Sequence, residues 1–264
     1  MSRLDHAPAR VIEGFQAAFL EVATATLPVA EYAVKGGVNM RFFYGSVRSS
    51  KDIDFDYLGE RFGRWEDRVN ALFDGRALDR LLQLRRIRIT QLNRVKKQTD
   101  VTRRWTLVLA TETVPDASSK VEFSAREAGG GDGAQLETAT VDAELARNLG
   151  MGRIALQHYR PPAAISQKIR ALRQRTHTEP RDVFDLDHLL RRFPEALAVA
   201  SVEPDEIEAA VARAQALTFE EYQSAVVPYL DEELWPVLGS AEAWEAMRVR
   251  VVDVLEAHAV ELLE

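Results

Sequence analysis

Apolar residues recur at helical spacing over residues 7–27, at Val11, Ile12, Phe15, Phe19, Leu20 and Val22, and Pro28 closes the segment. Tyr32-Ala33-Val34 then reads as a short buried strand. Residues 35–56, KGGVNMRFFYGSVRSSKDIDFD, predict the end of that strand, a glycine turn, one or two helical turns and a second strand with Asp52-Ile53-Asp54 at its end. Alternation along this second strand puts Asp52, Asp54 and Asp56 on one face and Ile53 and Phe55 on the other. Helical spacing returns over 64–84, with a break near Gly75. Strand patterns follow at 86–92, 103–112 and 119–125, and the glycine-dense stretch 125–135 predicts a loop.

From about residue 161 the pattern is helical to the end. Pro161-Pro162 occupy the first turn of a helix through Arg175, and Pro180 opens the next. Thr218 with Glu221 forms a capping box, and a last helix covers 241–263. The expected organisation is an α+β lobe with a mixed sheet over residues 1–160 and an α-helical lobe over 161–264. The four tryptophans, Trp65, Trp105, Trp235 and Trp244, are expected in the core or between lobes, and His158 and His188 read as ordinary helix or loop residues.

Composition narrows the function classes. The 264 residues include no cysteine, so neither a disulfide framework nor a thiolate metal site is available. The first residues carry early charges, with Glu13 and Glu21, and do not read as a signal or transit peptide. No apolar run approaches the roughly 20 residues that span a bilayer. A soluble, cytoplasmic protein with no membrane partner is expected. The net charge of −7 is unevenly spread: residues 85–104 hold eight basic residues and one acid, leaving −14 for the rest. A basic strip on an acidic body suits a phosphate backbone, and a solvated arginine-rich hairpin is the competing account.

Like charges stacked on one strand face repel, and a cation usually offsets them. Asp52 and Asp54 therefore suit Mg²⁺, which prefers carboxylate oxygens together with water and phosphate. Two such metals are the apparatus of nucleotidyl transfer from an NTP. An exposed edge decorated with acids is the plainer alternative. Gly36-Gly37 would let backbone N–H groups approach a triphosphate, and Gly45-Ser46 is a second candidate turn. Arg48 and Ser50 could add guanidinium and hydroxyl donors. Glu122 shares a strand face with Lys120 and Ser124, as a third carboxylate or as half of a Lys–Glu surface pair. Lys168 could meet the triphosphate as a point charge. Asp182 and Asp185, three apart on a helix, could hold Lys168 and Arg175 in position.

Taken together, KGG at 35–37, RSSKDIDF at 48–55, KVEFS at 120–124, and Lys168 followed by PRDVFDL at 180–186 resemble the AbiEii-type nucleotidyltransferase toxins, similar to the MenT toxins of mycobacteria. The resemblance spans roughly residues 30–190. It implies a DNA polymerase β-like nucleotidyltransferase lobe followed by a helical C-terminal lobe. It also implies metal-binding Asp52 and Asp54, and a phosphate turn drawn from Gly36, Gly37, Ser46, Arg48 and Ser50. Lys168 falls on the nucleotide-contacting lysine and Asp185 on a supporting aspartate. The implied activity is transfer of an NMP to RNA, with the tRNA acceptor end as substrate and the strip 85–104 as its surface, in a toxin with an antitoxin partner encoded nearby. A protein hydroxyl as acceptor, or nucleotide binding without transfer, are the alternatives. Val38-Asn39 departs from the family, where a small hydroxylated residue followed by an apolar one is expected.

Overall fold

The N-terminal apolar stripe forms helix α1 (Pro8–Thr26), whose residues Phe15, Phe19 and Leu20 are fully buried. The chain is described here from a computed structural model over residues 8–94, 101–125 and 135–263. After α1 come β1 (Tyr32–Lys35), α2 (Gly36–Tyr44) and β2 (Ile53–Tyr57). Then follow α3 (Phe62–Phe73), α4 (Arg76–Leu84), β3 (Arg88–Arg94), β4 (Thr102–Ala110) and β5 (Ala117–Ser124). The run closes with β6 (Leu136–Thr140), α5 (Ala143–Asn148) and β7 (Ala155–Tyr159). Most of the predicted loop 125–135, and residues 95–100 of the basic strip, lie outside the described residues.

Seven strands make one mixed sheet in the order β3-β4-β5-β2-β1-β7-β6. β2 runs parallel to β5 and β1 parallel to β7; the remaining neighbours are antiparallel. Alternation sorts the strands into two faces. Tyr32 and Val34, Ile53 and Phe55, Val121 and Phe123, and Trp105, Leu107 and Leu109 turn to the apolar side and join α1, α3 and α4 in one core. Phe55 and Phe123, register partners on β2 and β5, stack with ring centroids 4.5 Å apart. The residues between them, Asp54, Asp56, Lys120, Glu122, Arg104 and Thr106, turn to the other side. The sheet therefore has one greasy face and one charged face.

Two details correct the sequence expectation. β2 begins at Ile53, so Asp-Ile-Asp opens the strand rather than ending it and Asp52 sits just ahead. The segment between the strands is a nine-residue helix, α2, with a positive-φ glycine at each end: Gly36 (φ 67°) and Gly45 (φ 65°). An L side chain is strained there, so glycine is what lets the chain turn into and out of α2.

The chain divides into two compact units, residues 1–45 with 49–159, and residues 160–264 with Ser46–Arg48. The second unit contains α6 (Pro161–Gln174), α7 (Pro180–Arg192), α8 (Pro204–Ala216), α9 (Phe219–Ala225), α10 (Trp235–Leu238) and α11 (Ala241–Glu261). Ile165, Ile169, Leu172, Val183, Leu186, Leu189, Ile207, Trp244, Val251 and Leu255 form its interior. Thr218 and Glu221 make the reciprocal capping box at the start of α9. Trp235 departs from the expectation for tryptophans: it is 43% exposed, its indole N–H donating to the Leu230 carbonyl. Among the described residues no helix is long and apolar enough to cross a membrane.

Candidate active site

The charged face of the sheet is built by register. Asp54 lies opposite Lys35 of β1 on one side and Glu122 of β5 on the other, and Glu122 lies opposite Arg104 of β4. Four ionisable groups thus stand in a row across four strands. Their partners differ. Glu122 is taken by Arg104 at 2.5 Å, and Lys120 turns to Asp52 at 3.6 Å. The Lys120–Glu122 pair offered as the plain account is therefore not formed. Asp56 receives Lys35 Nζ at 2.5 Å and the Tyr159 hydroxyl at 2.6 Å. Half-buried Asp54, by contrast, makes no hydrogen bond or ion pair among the described residues. A Cβ added at Gly36 would lie 3.4 Å from its Oδ2, so the glycine lets backbone come directly against this carboxylate.

The loop carrying Asp52 is pinned from three sides. Gln16 of α1 donates through Nε2 to the Ser50 carbonyl at 2.8 Å. The Ser50 hydroxyl donates to the Asp52 carbonyl at 2.9 Å, and the Ser119 hydroxyl to the Lys51 carbonyl at 2.7 Å. Each bond fixes backbone immediately beside Asp52, so Ser50 serves here as a local brace. Gln16 and Ser119 hold this loop and belong to none of the sequence motifs. Gln16 carried a readable signal, being polar at the centre of the stripe made by Ile12, Phe19 and Leu20.

The Val38-Asn39 departure has a structural account. Val38 is fully buried in the core, and Asn39 bonds the Tyr159 carbonyl at 2.9 Å and the His158 Nδ1 at 2.9 Å. These two side chains tie α2 to the sheet. His158 stacks on Phe43, ring centroids 3.9 Å apart, and burial pushes its pKa down to about 4. It is a neutral core histidine.

In the second unit, α7 presents Asp182 and Asp185 on one face, both fully buried. Asp185 accepts from Arg48 at 2.9 Å through both of its oxygens and pairs with Lys168 Nζ at 2.6 Å. Asp182 accepts from Lys168 at 2.9 Å and pairs with Arg175 Nε at 3.1 Å. Burial alone would raise the Asp185 carboxyl, yet Arg48 and Lys168 hold it down at about 2. Ser46, also fully buried, accepts the Arg48 backbone N–H on its hydroxyl at 3.3 Å. Arg48 and Lys168 thus enter any ligand chemistry already oriented by two carboxylates.

The basic strip is less free than its sequence. Arg85 pairs with Glu21 at 2.8 Å, Arg103 with Glu66 at 3.0 Å, Arg104 with Glu122, and Arg94 with Asp74. Among its described residues, Arg86 and Arg88 are exposed and make no such pair.

Asp52 and Asp54 are hard oxygen donors two residues apart on one face. Among the described residues no three His, Cys, Asp or Glu side chains gather closely enough to hold a metal ion. Two carboxylates suit Mg²⁺, which keeps waters and takes phosphate oxygens for the rest of its shell.

A mixed sheet with paired aspartates beside a glycine-opened helix, followed by a helical unit, marks a nucleotidyltransferase, and the family comparison is specific. The chain belongs to the family described as nucleotidyl transferase AbiEii toxin of type IV toxin–antitoxin systems, whose profile matches residues 24–263. Solved structures share the fold. MenT4, a nucleotidyltransferase toxin of Mycobacterium tuberculosis, superposes with a TM-score of 0.62 at 18% identity, over 97% of this chain and 87% of that one. A putative nucleotidyltransferase from H. pylori gives 0.58 at 20% identity, over 95% of each chain. JHP933 from Helicobacter pylori gives 0.56 at 19%, over 96% of this chain and 93% of that one. Among curated proteins none matches.

Proposed function

We propose that this chain transfers a nucleoside monophosphate from an NTP to a hydroxyl of an RNA, with the 3′ end of tRNA as the expected acceptor. The observation that carries the reading is Asp54: a carboxylate on the charged sheet face, beside Asp52 and against Gly36, with no partner among the described residues. A carboxylate left unpaired in a half-buried position is costly unless a ligand completes it. Asp52 and Asp54 would hold Mg²⁺, which when bound would neutralise charge on the triphosphate and favour the ionised acceptor hydroxyl. Gly36 and Gly37 open α2 and offer backbone N–H groups to phosphate oxygens. By family resemblance Lys168 and Arg48 supply positive charge to the triphosphate, with Asp185 and Asp182 as their positioning residues. Glu122, register partner of Asp54, is a further carboxylate of the face, held in place by Arg104.

In the transfer, the acceptor oxygen bonds to the α-phosphorus and the bond from that phosphorus to the bridging oxygen of the β-phosphate breaks. Pyrophosphate departs, and the hydroxyl proton passes to water. The reaction would take place in the cytoplasm under control of an antitoxin.

The test is incubation of the purified protein with each α-labelled NTP, Mg²⁺, total RNA and cell protein. Label in the RNA fraction, lost on removing Mg²⁺, is the expected result. Label in the protein fraction would make a protein hydroxyl the acceptor. NTP binding without pyrophosphate release, whatever the acceptor, would make the chain a nucleotide-binding protein instead.

A further inference from the structure

A cavity of about 360 Å³ opens on the charged sheet face beside Asp52. Its lining includes Lys51, Asn93, Thr106, Ser118 and Lys120. That size, near the lower end of the roughly 300–1,000 Å³ usual for small-molecule sites, admits one nucleoside and not a duplex. Asn93 faces Thr106 across β3 and β4 in the sheet register, and Lys120 faces Thr106 across β4 and β5. These three side chains therefore share one patch of floor. None of Asn93, Thr106 and Ser118 makes a side-chain hydrogen bond within the described residues, so an amide and two hydroxyls are open to a ligand. Lys51 and Lys120 outnumber Asp52 there, which favours an anion over a neutral hydroxyl compound.

Sheet order separates this cavity from the phosphate turn. In the sequence β3-β4-β5-β2-β1, the floor lies over β3, β4 and β5, on one side of the aspartates. Gly36 and the start of α2 follow β1, on the other side. In a transfer reaction the attacking hydroxyl and the leaving pyrophosphate lie on opposite sides of the α-phosphorus, roughly in line. The turn and the cavity stand on opposite sides of Asp54.

We propose that this cavity is the acceptor subsite and receives the 3′-terminal nucleoside of a single-stranded RNA end. Lys51 and Lys120 take the adjoining phosphodiester, while Asn93, Thr106 and Ser118 meet the base edge and ribose hydroxyls. The proposal rests on the transferase reading for its chemistry, but the binding it asserts can be measured separately.

The experiment measures binding of a 5′-fluorescein-labelled 12-nucleotide single-stranded RNA with a free 3′ hydroxyl, by anisotropy, and binding of NTP, by calorimetry. The full chain is used, with Thr106→Trp to fill the cavity and Lys51→Glu to reverse a charge at its edge. Thr106 is half-exposed on a strand, where tryptophan is well tolerated, and thermal melting checks the fold. We expect RNA affinity to fall at least tenfold in both variants with NTP affinity within twofold of the parent. Loss of NTP affinity with RNA affinity retained would show that the cavity holds the donor and overturn the proposal. Unchanged RNA affinity, or no RNA affinity in the parent chain, would overturn it as well. RNA binding that depends on the cavity, found with no pyrophosphate release in any assay, would support this subsite while removing the transferase reading.

Discussion

Asp185 shows how a buried acid and two cations stabilise one another. Breaking such a pair by removing one partner leaves uncompensated charge and costs about 3–5 kcal/mol. Asp185→Asn should therefore lower unfolding stability in urea by an amount of that order. The pH dependence has a definite sign. The carboxyl sits at about 2 in the folded chain against an ordinary 3.8, so its stabilisation is complete above about pH 4 and is lost as pH falls towards 2. An Asp185→Asn variant with parent-like stability at pH 7 would contradict the ion-pair account. Gln16 acts at the same scale but differently. Gln16→Leu suits the apolar stripe around it and removes the brace on the Ser50 carbonyl, with its longer contact to the Asp52 carbonyl. Stability should be kept or improved while transfer drops several-fold through kcat, with the KM for NTP little changed. A variant with full activity would show that the brace is dispensable.

At the scale of elements, the attachment of α2 to β7 rests on Asn39 and His158. His158 has a folded pKa of about 4 against an ordinary 6.5. As pH falls below 6.5 the unfolded chain takes up a proton that the folded chain refuses until about 4. Stability should decline across that window by up to about 1.4 kcal/mol per pH unit from this group. Glu137 lies 3.6 Å from Nε2. In His158→Gln the slope between pH 6.5 and 4 should flatten in denaturant titrations; an unchanged slope would assign it to other groups. His158 also explains what the sequence hid. β7 buries Leu156 and His158 on one side, so its inward pattern contains a polar residue and fails the apolar alternation test. β6 is largely exposed and shows no alternation, whereas α5 had a readable cap in Asp142, which accepts the Glu144 and Leu145 N–H groups. By contrast α1, β1, α6, α7, α9 and α11 were legible because apolar spacing, prolines and a capping box all agreed. At the junction of β1 and α2, Gly36→Ala should cost about 1–2 kcal/mol, since its φ is 67° and the new methyl would crowd Asp54.

At the scale of the whole molecule, charge counted along the chain and charge free at the surface are different quantities. The strip 85–104 counts +7 in sequence, but Arg85, Arg94, Arg103 and Arg104 answer acids elsewhere in the fold. Single-stranded RNA binding releases counterions with a slope of about −0.7 per phosphate neutralised. With Lys51 and Lys120 as the two main contacts, the slope of log affinity against log salt should be about −1.4. A slope near about −5 would mean that the entire strip engages RNA. The family and the paired aspartates were readable from short motifs, because strand alternation turns DxD to one face whatever surrounds it. Which acid has an internal partner was not readable. That depends on register and on which neighbour each cation chooses: Arg104 pairs with Glu122, Lys120 with Asp52, and Lys35, opposite Asp54, turns to Asp56, so Asp54 has no partner among the described residues.

The central claim is therefore best tested on Asp54 itself. The measurement is the rate at which label from an α-labelled NTP enters RNA, for the parent chain and for Asp54→Asn, beside the melting temperature of each. Loss of at least a hundredfold in rate, with a melting temperature equal to or above the parent's, is what an unpaired catalytic carboxylate requires. A variant that still labels RNA at the parent rate, or that loses activity only because it unfolds, would contradict the account.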